Sequence, residues 1–255
     1  MPDDSKQRGR KLRSAITREG MDRAPHRAFL RAMGLDDETM SRPMIGVATP
    51  EGEMTPCNMG LRDQAAWARQ GIAEGGGTPR EFGTMSVADS LSMQHQGMKF
   101  SLVSREMIAD SVEAVVRGHV YDGLIVFAGC DKTLPGMMMG LVRLNIPGGF
   151  LYGGSALPGT WRGKPATVLT AYEAIGGEAR EIEYACLPTI GACPGQFSAN
   201  TMGMVSEALG LALLGSSMIP AVYAERKAIS RRLGLQIMKN LENGGPLPRD
   251  LVTWK

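Results

Sequence analysis

The chain has 255 residues, with 28 Lys and Arg against 26 Asp and Glu for a formal net charge of +2, 33 Gly, 18 Met and few aromatics. That length suffices for one large α/β domain or two small ones with an ample core, and so small a net charge makes no electrostatic case for nucleic acid. No apolar stretch is long enough to span a bilayer. The first residues, "MPDDSKQRGRKLRSAITR", lack an apolar h-region and carry Asp3 and Asp4, which argues against a secretory signal and leaves weak support for a transit peptide; a cytoplasmic protein is expected.

In chain order, residues 1–40 read as a basic, partly helical arm. "DRAPHRAFLRAMGL" sets Ala28, Leu30, Ala32 and Leu35 among charges and ends near a glycine. Residues 41–255 then alternate short apolar runs with helical stretches. Strands are predicted over 44–48, 81–87, 123–128, 149–152 and, on a weaker pattern, 184–187. Helices are predicted over 61–74, 105–117, 135–144, 166–175, 201–214 and 221–234. Such alternation predicts an α/β fold with a central, mainly parallel sheet flanked by helices, and a site at the carboxyl ends of the strands. Met137-Met138-Met139 read as adaptable core filling.

The reactive residues fall in the loops that follow predicted strands. "IGVATPEGEMTPCNMGLRD" presents Cys57 near a helix start, and "EFGTMSVADSLSM" presents Asp89. "LIVFAGCDKTLPG" ends in Cys130, Asp131 and Lys132, with Pro135 suited to a first helical turn. "ACLPTIGACPGQFSANTM" carries Cys193 before a helix for which Ser198 or Asn200 is the candidate cap.

A single cysteine is usually a small buried hydrophobe, and a chain of this size with no signal peptide argues for free thiols or metal ligands over disulfides. Cys57, Cys130 and Cys193 share polar, Gly/Pro-rich loops at one predicted sheet edge, which favours a shared soft-metal site; Cys186 follows an apolar run and reads as structural. The paired spacings typical of zinc are missing. Iron–sulfur clusters normally take four cysteines, so three would leave one iron position open as a Lewis acid. Asp89 and Asp131 supply hard oxygens suited to Mg²⁺, although each taken singly reads equally well as a helix cap or a solvated carboxylate. Lys132 fits a surface ammonium, an ion-pair partner or a functional amine. His26, His95 and His119 have no ligand spacing, and Gly153-Gly154-Ser155 is a weak signal for an anion cradle.

"TPCNMGLRD", "GCDKTLPGMMMGLVRLNIP", "YGGSALPG", "GACPGQFSANTM" and "SEALGL", with "RSAITREGMDRAPHRAFLRAMG" in the arm, together resemble the dihydroxy-acid dehydratase (IlvD/Edd) family, in its N-terminal half. The resemblance implies a [2Fe-2S] cluster on Cys57, Cys130 and Cys193, and Mg²⁺ on Asp89, Asp131 and a carbamylated Lys132. It implies a hydro-lyase that dehydrates a small 2,3-dihydroxy acid to a 2-keto acid, and "TPCNM" and "RLNIP" lean toward the branched-chain member of valine and isoleucine biosynthesis. Sugar-acid dehydratases share the motifs, and a non-catalytic cluster-binding fragment is a further alternative.

The spacing Cys186-x₆-Cys193 is one residue longer than the family pattern. Beyond "LPRDLVTWK" the resemblance implies a second half of comparable length, as a C-terminal domain or a separate chain. That half would supply the serine base and a glutamate ligand, so no catalytic base is assigned among residues 1–255. The implied partners are the substrate, that C-terminal unit and further copies in a homo-oligomer, with neither nucleic acid nor membrane.

Overall fold

A computed structural model describes residues 12–253; Asp3, Asp4 and the rest of the expected arm before residue 12 lie outside the described residues. Two 3₁₀ turns, Arg13–Thr17 and Met21–Arg23, lead into helix α1 (Ala24–Ala32) and α2 (Asp37–Ser41). The start of the arm is pinned by a buried carboxylate. The buried Asp122 carboxylate accepts from the Ser14 amide at 3.0 Å, the Ser14 hydroxyl at 2.5 Å and the Met44 amide at 2.8 Å, so one side chain ties the arm to the first strand.

The chain then runs through β1 (Met44–Thr49), α3 (Pro56–Met59), α4 (Leu61–Glu74), β2 (Thr78–Gly83), α5 (Asp89–Ser92), α6 (Lys99–His119), β3 (Gly123–Ala128), α7 (Thr133–Leu144) and β4 (Gly148–Tyr152). These four strands form a parallel sheet in the order β2-β1-β3-β4. Every residue of β1 and β3 is buried, as expected for central strands of a parallel sheet covered on both faces. Alternation divides β3 between two cores. Leu124, Val126 and Ala128 face α6 and α7 with Ile108, Val112, Leu134, Met137 and Leu141. Ile125 and Phe127 face α4 with Leu61, Ala65, Ala68 and Ile72.

Residues 156–191 leave the sheet. They form a β5 (Gly159–Trp161) and β6 (Lys164–Ala166) hairpin, then α8 (Val168–Glu173) and α9 (Ala179–Ala185), around a small core of Ala166, Ile182 and Cys186. The chain returns beside β4 through a parallel bridge between Ser155 and Ala192. It ends in α10 (Ser198–Ala208), α11 (Glu225–Asn243) and α12 (Pro248–Leu251), with α11 lying against α4 and the second core.

The predicted α/β fold is present, and several predicted elements differ in extent. The strand expected over 184–187 is the end of α9 and the turn after it, with Tyr184 80% exposed; a brief apolar run had no second strand to pair with. The strand expected over 81–87 is β2, shifted back to Thr78 and including Pro79, which an edge strand tolerates. The helix expected over 105–117 extends to Lys99–His119, and α7 begins at Thr133 rather than 135. The helix expected over 166–175 is shorter because β6 claims its start and Thr167 caps α8. That expected over 201–214 stops at Ala208, because residues 211 and 212 run along the sheet edge, the Leu211 carbonyl accepting from Phe150 and Ala212 bridging to it.

The helix expected over 221–234 runs on to Asn243. Gly234 is a packing glycine and not a stop: a Cβ there would lie 2.3 Å from the Ala68 carbonyl, so its bareness lets α11 approach α4. The Met run is core filling as expected, with Met137 and Met138 buried.

Candidate functional site

The loops after β1, β2 and β3 open at the same sheet edge and carry Cys57, Asp89 and the Cys130-Asp131-Lys132 turn. Because β1 and β3 are hydrogen-bonded neighbours, the Cys57 and Cys130 loops meet. The meeting is closer than side-chain contact. A Cβ on Gly129 would lie 2.0 Å from the Cys57 carbonyl oxygen, so only glycine lets the two backbones touch.

The two thiols lie close enough for each to shift the other's titration, and Cys193 stands near enough to act electrostatically on both. Cys57 and Cys130 therefore titrate as a pair. The Cys130 thiol's hydrogen bond lowers Cys57, whereas that same contact together with burial holds Cys130 far above the thiol range. Burial, followed by the Cys130 charge, raises Cys193. Local hydroxyls hold the first two cysteines: Thr55 donates to Cys57 Sγ at 3.3 Å, and Thr133 Oγ1 accepts from the Cys130 amide at 3.0 Å while donating to its carbonyl at 2.6 Å.

On the other side of the same turn, Lys132 Nζ donates to Asp89 Oδ2 at 2.9 Å and to Asp131 Oδ2 at 2.8 Å. Ser101 of α6 donates to the other Asp89 oxygen at 2.5 Å. Burial pushes Asp89 up, but hydrogen bonds from Asp131, Ser101 and Lys132 hold it below the ordinary range; Asp131 is raised by burial and by Asp89. Lys132 is raised by its two carboxylates despite burial. Two carboxyl groups converge on one ammonium, so hard oxygen donors already surround a cation's position.

Among the described residues, no three His, Cys, Asp or Glu side chains crowd one point as ligands of a single ion would. The donors divide instead into a thiol set and a carboxylate–lysine set, separated by the width of one turn. Two observations fit this division. The ammonium already occupies a cation's place between two carboxylates. Asn58, fully buried beside Cys57, has neither its amide nitrogen nor its oxygen bonded to protein, leaving polar capacity directed at something other than protein.

The remaining expected residues separate cleanly. Cys186 is buried in the small core of residues 156–191, in keeping with a structural role. The Gly153-Gly154-Ser155 turn is not an open anion cradle: the Gly153 amide donates to Ala128, and on the inner side of Gly154 sit Arg226 and the backbone of Ile219 and Ala221. His95 caps its own 3₁₀ turn, its Nδ1 accepting from the Gly97 amide at 3.0 Å, and His119 stacks on Tyr121. Neither Ser198 nor Asn200 caps α10, whose N-cap is Phe197 without a side-chain bond. Two open hollows beside the arm, lined by residues such as Leu12, Arg18, Arg27 and Met40, bring together no such donor set.

A family profile described as "Dihydroxy-acid/6-phosphogluconate dehydratase N-terminal" matches residues 42–255. The chain belongs to that family. It is 63% identical to "Dihydroxy-acid dehydratase 3" of Bradyrhizobium diazoefficiens, over 96% of this chain and 44% of that protein. It is 55% identical to "Dihydroxy-acid dehydratase 2" of Bordetella bronchiseptica, over 95% of this chain and 44% of that protein. It is also 48% identical to the "Dihydroxy-acid dehydratase" of Natronomonas pharaonis, over 95% and 42% respectively. The chain thus spans less than half the length of the curated relatives it matches. No helix among its described residues is long and apolar enough to cross a membrane.

Thr55, Asn58, Ser101, Thr133, Tyr152 and Asn200 all border the site without any local sequence signal of that role. Thr55 and Thr133 act on the cysteines two and three residues away, whereas Ser101, Tyr152 and Asn200 act through partners distant in sequence.

Proposed function

We propose that this chain supplies the cluster and part of the magnesium site of a dihydroxy-acid dehydratase, a hydro-lyase. Cys57, Cys130 and Cys193 would hold a [2Fe-2S] cluster, and Asp89, Asp131 and Lys132 would hold Mg²⁺, with Lys132 carbamylated. The observation that carries this reading is the Cys130-Asp131-Lys132 turn, which faces two other cysteines on one side and Asp89 on the other. When bound, the two groups supply Lewis acidity of soft and hard kinds.

Dehydration of a 2,3-dihydroxy acid removes the C2 proton and the C3 hydroxyl as one water and leaves an enol that becomes the 2-keto acid. The residues of this chain prepare that chemistry and do not complete it. Ligation needs thiolates, and with Cys57 shifted down and Cys130 up, cluster ligation would be proton-linked. Ser101 fixes the orientation of Asp89. Carbamylation needs a neutral amine, so the Lys132 ion pairs must open before CO₂ can add. The base that takes the C2 proton is assigned to the C-terminal portion of the family. The exposed Met54, Met59, Leu91, Met93 and Phe197, which flank Cys57, Asp89 and Cys193 in sequence, support that portion covering the site. A branched-chain substrate is supported by the relatives' names and by "TPCNM" and "RLNIP".

The test is anaerobic reconstitution of the chain with iron and sulfide, read by visible spectrum and metal analysis. Two irons per chain, lost in Cys130→Ser, are expected. A colourless protein with reduced, reactive thiols would defeat the reading. A panel of branched dihydroxy acids and sugar acids, given to the chain joined to a C-terminal dehydratase portion, separates the substrate classes.

A further inference from the structure

We propose that Asn200 is the positioning residue for Cys193, setting that thiol against Cys57 and Cys130 through the hydroxyl of Tyr152 at the end of β4. The inference rests on the reading of Cys193 as a ligand and adds how its place is fixed.

Asn200 lies in the first turn of α10 and is 4% exposed. Its Nδ2 donates to the Cys193 carbonyl at 3.0 Å and also to the Gly195 carbonyl, while Oδ1 accepts from the Tyr152 hydroxyl at 2.6 Å. Carbonyls only accept, so the carboxamide is useful one way round and the tyrosine must be the donor to its oxygen. Tyr152 is itself immobilised. It is fully buried, its carbonyl accepts from Arg226 Nη1 at 2.6 Å, and α10 lies so close that a Cβ on Gly203 would be 2.7 Å from its ring.

The tie matters because Cys193 has no strand of its own. Cys57 and Cys130 follow adjacent strands and are held by Thr55 and Thr133, two and three residues away. Cys193 follows the excursion over 156–191 and sits in Gly191-Ala192-Cys193-Pro194-Gly195, where the Ser155–Ala192 bridge and the bond from the Gly191 amide to the Pro56 carbonyl fix its entry. Asn200 fixes its exit. A buried asparagine that served folding alone could satisfy its amide anywhere; this one spends both donors on the two carbonyls that bracket Pro194.

The test uses dibromobimane, which cross-links neighbouring thiols, on the reduced, metal-free chain, with the products mapped by mass spectrometry. Wild type is expected to give Cys193-containing cross-links together with the Cys57–Cys130 cross-link. Asn200→Asp keeps the shape but, ionised, replaces the donors with acceptors. It is expected to lower the Cys193 product about tenfold relative to the Cys57–Cys130 product in the same sample, the factor that the net worth of a lost hydrogen bond allows. Tyr152→Phe, which deletes one hydroxyl, is expected to shift the same ratio less.

An unchanged ratio in both variants overturns the proposal, as does a wild type with no Cys193 cross-link. The same variants are then reconstituted anaerobically, and a visible spectrum altered in Asn200→Asp supports the assignment. The two readings fail separately: a normal wild-type cross-link pattern with no iron uptake defeats the cluster, while the ratio still decides Asn200.

Discussion

The two sides of the thiol site are built by different physics. Cys130 lies just beyond β3 and Cys57 in the short α3 that follows β1, and the two strands pair in register from Ile45 and Gly123 to Ala48 and Val126. Their spacing follows from the sheet, and the two cores on either face enforce it. Cys193 arrives on a returning loop that shares no ladder beyond the Ser155–Ala192 bridge, and its place is set by individual polar bonds: Gly191 to the Pro56 carbonyl at 2.9 Å, Ala192 to Gly154 at 3.0 Å, Asn200 to Cys193. A site placed by a sheet fails only when the sheet fails. A site placed by hydrogen bonds can be lost while the fold survives, and mutations should separate the two.

The largest effect is expected at Gly129. Gly129→Ala puts a methyl 2.0 Å from the Cys57 carbonyl, a backbone atom that cannot swing aside. Overpacking of this kind should cost about 3 kcal/mol of stability, read as a lower urea midpoint, and the Cys57–Cys130 cross-link should disappear with it. Unchanged stability would mean that the two loops are not in backbone contact.

Arg226→Met tests the other side. Arg226 is fully buried with no carboxylate partner among the described residues, and burial pushes its pKa down to about 10. Its removal strips the donors from the Tyr152 and Ile219 carbonyls, but it also relieves a desolvated charge, so the net cost should be about 2 kcal/mol rather than the sum of two lost bonds. The comparison is sharpened if Cys193 cross-links fall while the Cys57–Cys130 product persists. Equal loss of both would show that the two sides are one cooperative unit.

The same contrast explains what was legible in the sequence. Runs such as "GLIVFA" followed by Gly and a reactive turn identify strands and strand-end loops, because burial on both faces leaves a continuous apolar signature. Cys57, Asp89, Cys130, Asp131 and Lys132 could therefore be placed at one edge from pattern alone. Cys193 was also expected there, but by way of a strand over 184–187 that is helix and turn. Its position comes from contacts between residues far apart in sequence, and Tyr152 with Asn200, or Pro56 with Gly191, leave no local trace. Gly234 misled for a related reason, since a glycine that ends a helix and one that lets two helices touch are the same letter.

The smallest expected effect concerns α10, the helix that carries Asn200. At its far end Glu207 accepts from the Gly215 amide at 2.7 Å and the Ser217 amide at 2.6 Å, so the carboxylate ties the helix to the loop that leads toward Arg226. Burial raises Glu207, but the Ser217 and Gly215 bonds outweigh it and leave the group below its ordinary value. A folded-state pKa below the unfolded one contributes stability that is present above the unfolded value, near 4.3, and is lost as pH falls through the folded one. With partial solvent screening the contribution should be about 1 kcal/mol at neutral pH. Glu207→Gln should therefore melt below wild type at pH 7, and the gap should close as both are acidified through pH 4 toward 3. A gap that is constant with pH would assign the effect to the shape of the side chain and not to its charge. A gap that closes while the cross-link ratios of Glu207→Gln match wild type would confine the polar control of Cys193 to the other end of α10.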